Sequence, residues 1–212
     1  MEKPIIIFGA KGIAHAALEI FNSHDLVIYG FLDEDEKLHQ KEINNVAVLG
    51  NPEDDGFLKL VGKKCEAFVA ADDAKYRKFL VKLLNERRKV QPINAIHKLA
   101  YISTDAAIGH GNFINAKVNI GAGATVGHHG IFHTNATVEH HAEIGDFVQV
   151  GAGAVINSDV KIQDGAFIGT GAVVVSGVKI GKNARVGAGS VVIADVEDGQ
   201  TVFGNPAQVI ER

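Results

Sequence analysis

Six of the ten histidines crowd into residues 110–141: His110, His128, His129, His133, His140 and His141. A neutral imidazole near pH 7 can take a proton from an attacking amine or hydroxyl. Three imidazoles plus water also make a catalytic zinc set. Most of the six are expected to be solvated turn residues under either chemistry. A second group lies near the start, where Gly9-Ala10-Lys11-Gly12 joins an apolar run to a helix-patterned stretch. Backbone N–H groups and a helix N-terminus at such a turn attract phosphate. Asp33 follows at the end of the next apolar segment, where a carboxylate can reach a ribose hydroxyl. The bland alternative is a tight turn and a solvated acidic loop. The third glycine of the dinucleotide fingerprint is absent, which points away from NAD and toward another nucleotide-containing ligand.

The elements that must position these groups show in the periodicity. From Ile102 to Val192 every sixth residue is a branched or aromatic apolar one, without a gap. The fifth residue of each hexad is small or Val (Ala106, Val118, Ala124, Gly130, Ala136), and Asn112 is the exception. A period of six fits neither a helix nor a simple alternating strand. It suits a coil that turns a corner once per hexad, three hexads closing a triangular turn of eighteen residues. Five such turns, stacked at about 4.8 Å, give a prism roughly 24 Å tall. Gly follows the apolar residue in eight hexads, among them Gly109, Gly127 and Gly151. Gly relieves crowding and permits the positive φ that so many corners are expected to need.

Residues 1–96 lack the repeat and read as an α/β unit. Ile5–Phe8, Leu26–Leu32 and Glu66–Ala71 are predicted strands, and Ala14–Phe21 and Ala74–Arg88 predicted helices. In the second helix Tyr76, Phe79, Leu80, Leu83 and Leu84 fall on one face. Arg87-Arg88-Lys89 reads as its solvated basic end. This order predicts a small Rossmann-like domain, with residues 97–212 forming the prism and Val192–Arg212 capping it.

Composition narrows the function classes. A net charge of −4 argues against a general nucleic-acid binder. No apolar run approaches the ~20 residues of a membrane span. The single cysteine, Cys65, excludes a disulfide within the chain, and a reducing cytoplasm is the natural compartment.

The hexads resemble the hexapeptide repeat of the left-handed parallel β-helix, a handedness that the resemblance implies and the period alone does not, and the chain resembles the sialic-acid O-acetyltransferase-like nucleotide-sugar acyltransferases. The matching segments are IIIFGAKG, FLDEDE, INAIHKLAYIS, NATVEHHAEIGDFVQVGAGAVI and VFGNPAQVI, in that order. One branch of that family N-acetylates UDP-linked 4-amino sugars. The resemblance implies a homotrimer with active sites between subunits and acetyl-CoA in the groove between two prisms, with no metal. It implies that His140 is the general base, flanked by Glu139 and His141. It assigns Gln149, Thr170 and Ala188 to acetyl-CoA and Lys11, Gly12, Ile13, Asp33, Glu34 and Ala71 to the nucleotide sugar. Lys179, Lys182 and Arg185 would meet CoA phosphates.

Three positions depart from the family. His141 replaces an acidic residue proposed to raise the basicity of the base. Gln149 replaces a second histidine that touches the acetyl group, and it can donate a hydrogen bond but cannot titrate. Ile13 stands where the amino-sugar branch has His, with His15 two residues on. The chain is therefore expected to be an acetyl-CoA-dependent N-acetyltransferase of a nucleotide-activated amino sugar, with O-acetylation of a sugar hydroxyl as the near alternative. A γ-carbonic-anhydrase-like zinc enzyme built on His110, His128 and His133 and a non-catalytic sugar-nucleotide-binding protein are the others.

Overall fold

Ile5-Ile6-Ile7-Phe8 forms β1, buried on both faces as a near-continuous apolar run requires. The computed structural model describes residues 3–210, and the chain divides into two compact units, Met1–Lys98 and Leu99–Arg212. In the first, β1 pairs in parallel with β2 (Ile28–Leu32) and with β5 (Glu66–Val69). Two strands that the sequence did not announce, β3 (Glu42–Ile43) and β4 (Val46–Gly50), complete the order β3-β4-β2-β1-β5. Helix α1 (Ile13–Ser23) follows β1, the short α2 (Asp55–Leu58) follows β4, and α3 (Ala74–Arg88) follows β5. Phe21 of α1 meets Phe68 of β5 edge-on, ring centroids 5.4 Å apart.

The buried stripe of α3 differs from the expected one. Phe79 is 43% exposed, and Arg77 lies inside with Leu80, Val81, Leu83 and Leu84. Arg77 can be buried because its guanidinium donates to the carbonyls of Ala71 and Asp72, at 2.8 and 3.0 Å. Burial lowers its pKa to about 10, so it stays charged at neutral pH. The basic end of α3 is also more than solvated. Arg87 pairs with Asp55, and Arg88 donates to the carbonyls of Val61 and Lys59, tying α3 to the loop around α2.

The second unit is a parallel β-helix of two-residue strands paired eighteen residues apart. The first face runs from Tyr101–Ile102 through Thr137–Val138 to Val191–Val192. The second runs from Ala107–Ile108 through Glu143–Ile144 to Lys179–Ile180. The third runs from Phe113–Ile114 through Gln149–Val150 to Arg185–Val186 and Thr201–Gly204. The hexad apolar residues from Ile114 to Val192 point inward, 0–5% exposed, while Ile102 and Ile108 are only half-buried. Asn112 occupies its small-residue slot fully buried, donating to the Gly127 carbonyl and accepting from the Gly130 N–H. Thr201–Gly204 and Ala207–Val209 form an antiparallel hairpin that closes the third face. The last two residues of the expected cap lie outside the described residues.

The eight glycines that follow the apolar residues do not take positive φ. That conformation falls two residues later, at one position of every hexad from Gly111 to Gly189, including Lys117, His129, His141 and Phe147. The glycines serve close approach. A Cβ on Gly127 would lie 2.4 Å from Asp146 Oδ1, and one on Gly151 would lie 2.4 Å from the Thr170 nitrogen, both in the next coil.

Candidate active site

The edge between the first and second faces carries the candidate base. Val138 buries its side chain, the strand ends, and Glu139-His140-His141 turn the corner. The Glu139 N–H donates to the Ile156 carbonyl above, and the His141 N–H to the Ala122 carbonyl below. The three side chains are thereby held outward on a fixed backbone. His140 is exposed, its Nδ1 3.8 Å from Glu139 Oε2. That is an electrostatic contact, too long for a hydrogen bond. The His141 ring stands edge-on to His140 at 5.5 Å.

The residues assigned to acetyl-CoA sit elsewhere. Gln149 points outward from the third face, in register with Phe167 and then Arg185 above it. The Arg185 guanidinium lies 4.5 Å over the Phe167 ring. Thr170 and Ala188 are exposed at the edge between the third and first faces. His133 occupies that same edge lower down, its Nε2 3.1 Å from Gln149 Nε2 and its ring edge-on to Phe113. One chain thus distributes the predicted site over two edges of the prism, separated by a full face of roughly 20 Å. Lys179 and Lys182 do not join Arg185. They line a groove of about 330 Å³ with Lys161, Glu143 and Asp164 around the second face.

The remaining edge holds a ladder. The His110 N–H donates to His128 Nδ1 at 2.9 Å, the His128 N–H to Asp146 Oδ1 at 2.7 Å, and the Asp146 N–H to Asp164 Oδ1 at 3.0 Å. His128 therefore spends Nδ1 inside the fold, its ring stacked on His110 at 5.4 Å. His133 lies on a different edge, so within one chain the three imidazoles of the zinc alternative do not converge. Among the described residues no three His, Cys, Asp or Glu groups are arranged to hold a metal ion.

In the first unit a pocket of about 200 Å³ is lined by Gly9, Lys11, Asp33, Glu34, Ala71, Asp72 and Tyr76, among others. Asp33 is 5% exposed, with Oδ2 accepting from the Ala10 N–H and Oδ1 from the Asp35 N–H. Its carboxylate shapes the glycine turn from below, which the ribose expectation did not foresee. Lys11 pairs with Asp35 at 2.7 Å, a hydrogen bond that raises the lysine pKa and lowers that of the acid. Ile13 is buried and faces the core. Sequence reasoning missed Asp72, whose Oδ2 accepts from the Ile13 N–H at 3.2 Å at the start of α1. It also missed Tyr76, whose hydroxyl is pushed well above its usual pKa by burial and by Glu34 and Asp33.

The family description "Bacterial transferase hexapeptide (six repeats)" matches residues 141–176 and 159–194. Residues 141–194 are thus hexapeptide repeats of the bacterial transferase type. None of the curated proteins matches it in sequence. Solved hexapeptide-repeat structures do, over nearly their whole length. PerB from Caulobacter crescentus, in complex with CoA and GDP-perosamine, is 29% identical with a TM-score of 0.88, over 98% of this chain and 97% of that one. The acetyltransferase domain of PglB from Neisseria gonorrhoeae, in complex with acetyl coenzyme A, is 26% identical with a TM-score of 0.88, over 99% and 100%. WeeI from Acinetobacter baumannii is 28% identical with a TM-score of 0.87, over 98% and 99%. Among the described residues no helix is long and apolar enough to cross a membrane.

Proposed function

We propose that this chain is an acetyl-CoA-dependent acetyltransferase that N-acetylates the amino group of a nucleotide-activated amino sugar. The observation that carries the reading is the near-full-length likeness, at 29% identity, to an enzyme bound to CoA and a GDP-linked amino sugar. We read the first unit as a Rossmann-like domain that holds the nucleotide sugar in the pocket around Lys11, Gly12, Glu34 and Ala71. The second is a left-handed β-helix that carries out the transfer in the cytoplasm. The separation of His140 from Gln149, Thr170 and Ala188 supports a homotrimer, because a second copy can bring its third-face edge against the His140 edge of the first. The outward residues of the first face support the same assembly. Val155, Val173 and Val191 line its upper half, beside Val175 and Ile193, which are 38% and 59% exposed.

In this reading His140 is the general base. With Nδ1 toward Glu139, Nε2 takes the proton as the amine nitrogen attacks the thioester carbon. The C–N bond forms through a tetrahedral oxyanion that backbone N–H groups can stabilise. The C–S bond then breaks, and the proton held by His140 passes to the departing CoA sulfur. Holding both substrates across a subunit boundary supplies much of the acceleration.

The test is thiol release from acetyl-CoA against UDP-, GDP- and dTDP-linked amino sugars, with His140→Ala in parallel. Acceptor-dependent release that falls about 10²-fold or more in the mutant supports transferase and base together. Equal rates in wild type and mutant reject His140 as the base. No release with any acceptor rejects the N-acetyl reading.

A further inference from the structure

We infer that His133 and Gln149 act as one unit at the acetyl-donor edge, with His133 as a positioning residue that sets which end of the Gln149 carboxamide faces the thioester. The inference rests on the proposed use of this edge for acetyl-CoA. Gln149 stands outward in the column that continues through Phe167 to Arg185. His133 lies on the edge that continues through Thr134 and Ala152 to Thr170 and Ala188, coil upon coil. The side-chain bond between His133 and Gln149, at 3.1 Å and partly buried, joins the two lanes at their foot.

The chemistry follows from the donor inventory. The roles in this bond depend on the tautomer, and an amide nitrogen only donates, so the ring accepts at Nε2 whenever that nitrogen carries no proton. The Gln149 carbonyl oxygen is then turned away from the imidazole, toward the groove. A neutral ring can hold its proton on either nitrogen, whereas a protonated His133 can only donate at Nε2. The carboxamide must turn over, Oε1 accepting from the ring and the NH₂ facing outward. A thioester carbonyl needs a donor, so the charged form of His133 favours acetyl-CoA over CoA. The ring packs on Phe113 from below and bonds Gln149 from above. The charged groups on this edge and face are Lys117, one coil below, and Arg185, two strands above Gln149. Gln149 itself cannot titrate, so within this pair a pH-dependent preference enters through His133.

Calorimetric binding of acetyl-CoA and of CoA tests this, measured between pH 6 and pH 8 on wild type, His133→Asn and Gln149→Ala. Wild type is expected to prefer acetyl-CoA by about three- to tenfold more at the acid end, the worth of one hydrogen bond. The ratio of the two Kd values should be independent of pH in His133→Asn and in Gln149→Ala. His140 is intact in both variants, so a pH trend that survives in them belongs to another group and overturns the inference, as does a wild-type ratio that does not change with pH. Both of those outcomes leave the acetyl-donor reading standing. Absence of CoA binding to wild type overturns that reading itself, and this inference with it. Folding of the variants is checked by their Tm.

Discussion

Asp72 places its carboxylate on the N-terminus of α1, where Oδ2 accepts the Ile13 N–H at 3.2 Å. The fit depends on Gly12, because a Cβ there would lie 1.5 Å from that oxygen, at a φ of 53° that favours glycine. An internal anion thus occupies the position where a glycine turn and helix dipole would attract phosphate. Asp72→Asn keeps the shape and removes the charge. It should bind nucleoside diphosphates several-fold more tightly at low ionic strength, with the difference shrinking as salt screens it. Titration of GDP and UDP at two salt concentrations measures this, and equal affinities in mutant and wild type would refute it.

Glu139 and His140 should differ sharply in their effect on rate. The carboxylate stands 3.8 Å from the imidazole and both side chains are well exposed. Exposed pairs contribute only about 0–1 kcal/mol. Glu139→Gln is therefore expected to lower kcat/KM by less than about tenfold, against about 10² for His140→Ala. Comparable losses in the two mutants would mean that Glu139 becomes hydrogen-bonded to the base when substrate is present.

The ladder on the edge between the second and third faces makes a prediction about glycine. Gly127 and Gly145 lie beneath side-chain acceptors, Asp146 and Asp164. Gln163 takes the equivalent place below Lys182, which offers no acceptor, and there the sequence does without glycine. Gly127→Ala should destabilise by about 1–3 kcal/mol, as overpacking does. Gln163→Ala should stay within about 0.5 kcal/mol of wild type. Thermal or denaturant unfolding of the two variants checks the contrast.

The same ladder shows what the sequence could and could not tell. The hexads carry the prism almost unaided, because an inward position every sixth residue suffices to set faces, register and core. The glycines were legible as crowding but not as conformation, since their would-be Cβ atoms meet the next coil while the left-handed corner falls two residues later. In the first unit the apolar runs disclosed β1, β2 and β5. The half-buried β4 and the two-residue β3 have too little periodicity to register. Arg77 reads as a surface residue in any helical pattern. The carbonyls of Ala71 and Asp72, brought over it by the fold, help to hold it inside. The Gly-rich turn was recognisable, but Asp72 reaches it from fifty-nine residues away, a separation no local motif discloses.

Asn112 tests how strictly the small-residue slot is held. Its amide satisfies the Gly127 carbonyl and the Gly130 N–H inside the prism, at 2.9 and 2.7 Å. Asn112→Ala fits the slot by size yet leaves both backbone groups without that partner. Each is worth about 1–3 kcal/mol when buried. The variant should unfold at a clearly lower Tm, whereas Ala124→Gly, in an ordinary slot of the same kind, should cost no more than about 1 kcal/mol. A fall in Tm no larger for Asn112→Ala than for Ala124→Gly would show that water replaces the amide.

The division of the site between edges has a consequence for assembly. Val173 projects outward from the middle of the apolar half of the first face, between Val155 and Val191. If that face packs against another copy, Val173→Asp buries an unpaired charge at the interface, which costs far more than the interface gains from one valine. The inward neighbour Val174 is untouched, so the monomer should keep its fold and its Tm in dilute solution. Sedimentation should then show a trimer for wild type and a monomer for the variant. Thiol release should vanish with the trimer, because a lone chain holds His140 on one edge and Gln149, Thr170 and Ala188 on the other side of a face. A monomeric variant that kept full activity would place donor and base on the same chain, and the two-edge reading would be wrong.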